Sequence, residues 1–199
     1  MFGKKSPRRI KHKGRRLSDI LDAHARFHRG QPGGVRADLS GADLRKADLQ
    51  ECDLTDAILE LAILEGTDLR RAKLTRANFS GAICRRADLR NCDMTEAIFA
   101  GADLTEAEMS GVELFRVDMR GAIVHRANLR GTNFRSSNVE GADFRGADLN
   151  VAILRETDWS KAKLEGADVS TALLRGSVPL ETEMIRRAEE RKAETKKKS

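Results

Sequence analysis

Between residues 37 and 176 the chain returns to the same two apolar positions every fifth residue, through 28 consecutive units and without a slip of phase. The third residue of each unit is always apolar. It is Leu in sixteen units, from Leu39, Leu44 and Leu49 to Leu164 and Leu174, with Phe79, Cys84, Met94, Phe99, Val139 and Trp159 among the others. Two residues earlier stands Ala in 20 of the 28 units, and mostly small residues such as Cys52, Thr67 and Ser137 elsewhere. This period fits neither regular element. Five residues of α-helix rotate a side chain by about 500°, so successive centres would wind around the cylinder. In a flat strand an odd period would put successive centres on opposite faces. Both positions stay inside only if the backbone bends the same way once per unit.

Four such bends would close a coil of 20 residues, and coils would stack at about 4.8 Å. The 28 units then make seven coils, a rod of about 34 Å. Two features recur at the coil spacing: Gly41, Gly81, Gly101, Gly121 and Gly141 fall in one column, and Phe79 and Phe99 become stacked neighbours. The composition agrees with a core of small and aliphatic side chains, since aromatics are only 4% and Tyr is absent while apolar residues reach 40%. That apolar content is too high for a disordered chain.

The motif A(D/N)LXX, seen at Ala42-Asp43-Leu44, Ala77-Asn78-Phe79 and Ala102-Asp103-Leu104, resembles the pentapeptide-repeat family over about 140 of 199 residues. The resemblance implies an all-β solenoid: a right-handed quadrilateral parallel β-helix of about seven coils. Small residues and centres would point inward and the other three positions outward.

A stack of coils needs caps at its ends. Residues 17–36 read as an N-terminal cap helix and turn. Ser18 is the expected N-cap, Leu17, Ile20, Leu21, Ala25 and Phe27 or His28 the apolar stripe, and Gly30 with Pro32-Gly33-Gly34 the stop. Residues 178–199 read as a C-terminal helix and basic tail, with Leu180, Met184, Ile185 and Ala188 on a thin apolar side. It is expected to cap the last coil or, as in some family members, to make a homodimer.

Charge is distributed unevenly. Residues 1–36 carry +9, the repeats −5 and the remainder +2. The segment 1–16 holds Lys4, Lys5, Arg8, Arg9, Lys11, Lys13, Arg15 and Arg16 without an acid. It reads as a disordered arm that seeks polyanions, whether nucleic acid, an anionic membrane or an acidic protein. Cys52, Cys84 and Cys92 have no zinc-ligand spacing and read as core thiols of a reducing compartment. No apolar run is long enough for a membrane span or a secretory signal, so a cytoplasmic location is expected. His24 and His28 share a helix face but lack a third ligand, and neither a catalytic triad order nor a phosphate loop is present. An enzyme, a metal or a cofactor is not expected.

Function must then lie on the surface. One face carries an acidic ladder of Asp48, Asp68, Asp88, Glu108, Asp148 and Asp168, with Asn128 in line and Arg70, Arg90 and Arg130 alongside. By resemblance to family members that bind DNA gyrase, such a ladder implies a duplex mimic conferring quinolone protection. A second feature is apolar. Ile58 and Ile98 share one face, Ile63, Ile83 and Ile123 the next, and Leu61 lies at their common corner near Ala100. Contiguous exposed apolar residues mark a partner site, so the first expectation is a scaffold that docks a protein partner there. Val151, Ile153, Leu173 and Phe115 form a smaller cluster towards the C-terminal end.

Overall fold

The structure, a computed structural model, describes residues 3–173. The expected C-terminal helix, and the homodimer through it, lie outside the described residues.

From Ala37 onward the chain winds as a four-sided parallel coil. Each second-position residue bridges the residue 20 positions later, as in Asp38↔Ile58↔Asn78↔Ile98↔Asp118 on one wall and Asp43↔Ile63↔Ile83↔Asp103↔Ile123 on the next. Every rung is a pair of backbone bonds. Leu39 N–H donates to Ile58 C=O at 2.7 Å, and Ile58 N–H donates back to Ala37 C=O at 2.9 Å.

The bend that the five-residue period demands is a β-turn. Ala42 N–H donates to Leu39 C=O at 3.0 Å, and the fifth-position residue between them, Gly41, has φ of 67°. Positive φ at the third turn residue alone defines type II geometry. The same conformation recurs at Lys46, Glu51 and Asp56, which complete the four corners of the first coil. Where the second position is Asp or Asn, its side chain typically holds the bend from outside. Asp38 Oδ1 accepts from Ser40 N–H at 3.0 Å, and Asp53, Asn78, Asp93 and Asp118 do the same two residues on. This Asx bond explains why the repeat favours Asp or Asn there.

Centres and nearly all first-position residues are buried, in one continuous column from Ile10 to Val169, with Cys52, Ala162 and Ala172 partly buried against it. At Thr67, Cys92, Ser137 and Thr157 the polar atom of a first position other than Ala finds a carbonyl of the coil before. Thr67 Oγ1 donates to Leu44 C=O at 2.6 Å, and Ser137 Oγ to Leu114 C=O at 2.6 Å. Among the described residues the sequence of rungs is interrupted at Trp159. Its indole Nε1 donates to Leu154 C=O at 3.0 Å, and no bridge joins Asn138 to Asp158. Trp159 also packs against Phe134 and Phe144, with centroids 5.3 and 5.2 Å away.

The N-terminal end differs from the disordered arm expected over 1–16. Residues 7–9 form a 3-10 turn, and β1 (Lys11–His12) pairs antiparallel with β2 (Arg15–Arg16). The hairpin closes through Lys13 and Gly14, with φ of 46° and 78°, the two positive values of a type I′ turn. Ile10 supplies the apolar anchor that composition alone hides, since it is buried beside Leu17 and Ile20. Lys5 then acts as a rung of a coil before the first. Its N–H donates to Lys46 C=O at 2.7 Å, and its C=O accepts from Asp48 N–H at 2.9 Å.

Helix α1 (Leu17–His28) closes the rest of the base. It follows β2 directly, so Arg16 and not Ser18 takes the N-cap position; Ser18 Oγ bonds Asp19 Oδ1 instead. The inward face is Leu17, Ile20, Ala23 and His24, which leaves Phe27 exposed. His24 stands in for a missing coil: its Nδ1 accepts from Ala37 N–H at 3.1 Å. At the helix end Gln31 N–H donates to Arg26 C=O and Gly30 N–H to Phe27 C=O, a Schellman pair with Gly30 at φ of 62°. Gly34 must be glycine, because a Cβ there would lie 2.5 Å from the Phe27 backbone nitrogen. Among the described residues no helix is long and apolar enough to cross a membrane.

Candidate interaction surfaces

The four corners of the rod carry different chemistry, because each fifth-position column is free to choose its side chains. One corner alternates in sign: Asp56, Arg76, Glu96 and Arg116 stack in order, with Arg76 Nε 2.7 Å from Asp56 and Arg116 Nη1 3.6 Å from Glu96. Another runs through Arg86, Glu106 and Arg126, whose guanidinium groups both reach Glu106, at 2.8 and 3.0 Å. The rod therefore neutralises most of its own surface charge.

The acidic ladder is geometrically real. Asp48, Asp68, Asp88, Glu108, Asn128, Asp148 and Asp168 bridge one another in that order up one wall. Its charge, however, is answered locally. The second and fourth positions of a unit both point outward, so an Arg two residues after an Asp folds back onto it. Arg90 forks onto Asp88 at 2.8 and 2.7 Å, and Arg70 forks onto Asp68 at 2.9 and 2.8 Å. Asp148 takes Arg130 at 3.3 Å, while Glu108 accepts from Asn128. Asp68 is fully buried because Lys4 also forms an ion pair with it from the folded arm. Burial by itself would raise the Asp68 carboxyl pKa, but the hydrogen bonds from Arg70 and Lys4 outweigh it and hold the pKa at about 2.

The apolar residues meet at a corner of unusual plainness. Its column reads Gly41, Leu61, Gly81, Gly101, Gly121 and Gly141, so four successive coils present bare backbone. Added side chains at Gly101 or Gly121 would meet nothing within 4 Å, so packing does not require these glycines. The turn does not require them either, since Arg86 and Arg126 hold the same conformation at another corner. Leu61 lies over Gly81, where its Cδ2 would sit 2.8 Å from an added Cβ, and it is 69% exposed.

Ile58 and Ile63 flank Leu61 in the same coil, and Ile83 bridges Ile63 in the next, giving one contiguous group. Ile98 and Ile123 are not contiguous with it along their walls. Asn78 separates Ile58 from Ile98, and Asp103, paired to Arg85 at 2.6 Å, separates Ile83 from Ile123. The bare glycine strip is what joins them across the corner. Ile83 and Ile123 are 38% and 39% exposed, whereas Ile58, Ile63 and Ile98 are half-buried.

The predicted arm cations fall into two groups. Lys4 and Lys13 pin the arm to the rod through Asp68 and Asp38, and Lys5 joins it through its backbone. Arg15 reaches only the Asp19 carbonyl, and Arg8, Arg9, Lys11 and Arg16 are exposed without a carboxylate partner among the described residues. Sequence reasoning missed this division, and missed His28, whose Nε2 lies 2.7 Å from Thr55 C=O. The thiols are inert: burial pushes Cys52 up to about 11 and Cys92 up to about 12.

A rigid rod with distinct surface strips on self-supporting walls defines a solenoid repeat protein, a class that works by display. The chain belongs to the pentapeptide-repeat family: the family's Pentapeptide repeats model matches eight copies, spanning residues 37–76, 61–83, 72–111, 82–121 and 113–150. The coil is thus the right-handed quadrilateral β-helix of that family. Among solved structures, a trypsin-treated variant of QnrB1, a plasmid-mediated fluoroquinolone resistance protein, matches with a TM-score of 0.67 at 23% identity, covering 70% of each chain. HetL, a pentapeptide-repeat protein involved in heterocyst differentiation regulation in the cyanobacterium Nostoc sp. strain PCC 7120, is 28% identical over 69% of this chain and 83% of its own, with a TM-score of 0.35. No curated protein matches the sequence.

Proposed function

We propose that the chain is a non-catalytic scaffold that docks a protein partner on the glycine corner, with Leu61, Ile63 and Ile83 at the centre and Ile58, Ile98 and Ile123 at the margins. One observation carries the reading. At five second positions around this corner Ile replaces the Asp or Asn that would hold the turn. Each such replacement forgoes a local hydrogen bond of about 1 kcal/mol. It places β-branched apolar surface beside backbone that has no side chains to shield it. A partner's apolar side chains gain from that surface, and the bare strip lets them approach closely.

Replacing Ile63 and Ile83 by Asp restores the family's usual residue, so the coil should fold and melt as before. Gly101→Arg adds a bulky cation at a position where Arg is tolerated in another column. Capture of the partner by immobilised rod should be lost with both variants and retained with Arg90→Lys on the opposite wall. Equal capture by all four proteins would overturn the proposal.

A second reading, binding to a topoisomerase such as DNA gyrase with protection from quinolones, draws on the unbroken second-position ladder and on the fold shared with QnrB1. The arginine forks on Asp68 and Asp88 and the lysine from the arm weaken it. Duplex DNA presents one charge per about 1.7 Å of axis, and this wall presents ion pairs. A gyrase supercoiling assay with and without quinolone separates the readings: protection favours the ladder, and no effect favours the glycine corner.

A further inference from the structure

We infer that the N-terminal end of the rod is a binding face for the phosphate backbone of a duplex nucleic acid, formed by Arg8, Arg9, Lys11 and Arg16. Three observations lead there. The first is contrast. Along the repeats Arg45, Arg76, Arg90, Arg120 and Arg145 each close on a carboxylate within 2.7 Å, whereas these four cations have no such partner among the described residues.

The second is register. Lys11 stands directly opposite Arg16 in the β1–β2 pair. Alternation turns Ile10 and Leu17 inward to the core and leaves Lys11 and Arg16 exposed on the outer face. Like charges directly opposite each other destabilise a hairpin. This hairpin keeps them on a two-residue type I′ turn and adds Arg8 and Arg9 at its foot. An anion placed across the pair removes the repulsion.

The third is rigidity. The Lys4–Asp68 and Lys13–Asp38 pairs and the Lys5 rung hold the hairpin against the rod, so the cations are positioned before they bind and little ordering is needed.

The chemistry selects the partner. Three of the four groups are guanidinium forks, which match phosphate oxygens in pairs. The apolar residues that alternate with these cations, Ile10 and Leu17, are buried, so the hairpin face itself offers nothing to insert into a bilayer. Residues 3–16 contain no Phe, Tyr or Trp on which an unpaired base could stack. Duplex backbone is the polyanion that asks for neither. Binding of this kind ignores sequence and depends steeply on salt.

The test uses the full chain and a fluorescently labelled 20-base-pair duplex of arbitrary sequence, followed by anisotropy from 50 to 200 mM salt. With about four phosphates engaged, affinity should fall on the order of 100-fold across that range. The variant Arg8→Gln/Arg9→Gln/Lys11→Gln/Arg16→Gln leaves Ile10, Leu17, Lys4 and Lys13 in place. It should keep or raise the melting temperature, lose duplex binding, and lose the thermal stabilisation that duplex gives the parent protein. Equal binding by variant and parent would overturn the inference. So would salt-sensitive binding of the parent to phosphatidylserine vesicles without binding to duplex.

Discussion

Phe79 and Phe99 lie face to face in the core, with ring centroids 4.6 Å apart and planes within 5° of parallel. Parallel rings at this separation lie within the range of favourable stacked pairs. Here the coil repeat imposes the arrangement: residues 20 apart occupy the same station one strand spacing along the axis. The station is filled by volume, and Leu is its usual occupant. Phe99→Leu should therefore cost less than about 1.5 kcal/mol, as a near-volume-conserving change at a station where Leu is the norm. Phe99→Ala should cost about 3–5 kcal/mol through lost contacts and a cavity. Urea midpoints measure both, and equal losses would show that the pair has a stabilising interaction beyond its volume.

That pairing was legible from spacing alone, and so was the rod. The five-residue period recurs so often that tertiary context cannot override it, and counting by 20 places Ile63 beside Ile83 and Asp68 beside Asp88 without coordinates. What escaped was the folded arm. Its turn signals are sparse, Pro7 and Gly14 after Lys13, and among the described residues Ile10 is its one core residue, so a window crowded with cations reads as solvated chain. The neutralised ladder was half legible, since the sequence already sets Arg70, Arg90 and Arg130 alongside it. Asp-Leu-Arg spacing in Asp68-Leu69-Arg70 shows that both side chains point outward, but only side-chain geometry shows that the fork closes.

Val151 occupies a corner at φ of 53° with its side chain 51% exposed. A β-branched residue in the left-handed region is strained by about 1–2 kcal/mol, and little burial offsets it. Val151→Asn should therefore raise stability by about 1 kcal/mol, with the Val151 N–H bond to Thr171 Oγ1 retained by the backbone. The same change at Arg126, at φ of 52° without branching, should raise it less. Chemical denaturation of the two variants compares them directly.

Stability should also depend on pH through the base of the rod. Burial, then the neighbouring His28, lowers the pKa of His24 below its usual value near 6.5. The neutral ring is the one that can accept the Ala37 N–H. In the unfolded chain His24 takes up its proton near pH 6.5, and in the folded chain only at lower pH. Its contribution is therefore complete above pH 6.5 and is lost as pH falls through the folded value. His12 acts in the same direction, through burial and then Lys13. Paired carboxylates such as Asp43 and Asp68, both held at about 2, act only below about pH 4. The melting temperature should thus fall between pH 6.5 and 4.5, and His24→Gln should flatten that slope. A melting temperature that stays level across this window in the parent protein would contradict the buried neutral ring.

The Lys4–Asp68 pair decides whether the arm is part of the fold. Exposed ion pairs contribute about 0–1 kcal/mol, but the Asp68 carboxylate is wholly buried, and a buried charge that loses a partner is left uncompensated. Arg70 remains in place, so Lys4→Ala should cost about 1–3 kcal/mol. It should also free the Lys5 rung and open residues 4–16 to proteolysis after their many cations. Asp68→Asn removes the charge that Lys4 answers while leaving an acceptor for Arg70. In a double-mutant cycle the second change should then recover most of the first, with a coupling above about 1 kcal/mol. A coupling near zero, with the arm equally resistant to trypsin in all four proteins, would mean that Ile10 and the Lys5 backbone hold the cap unaided.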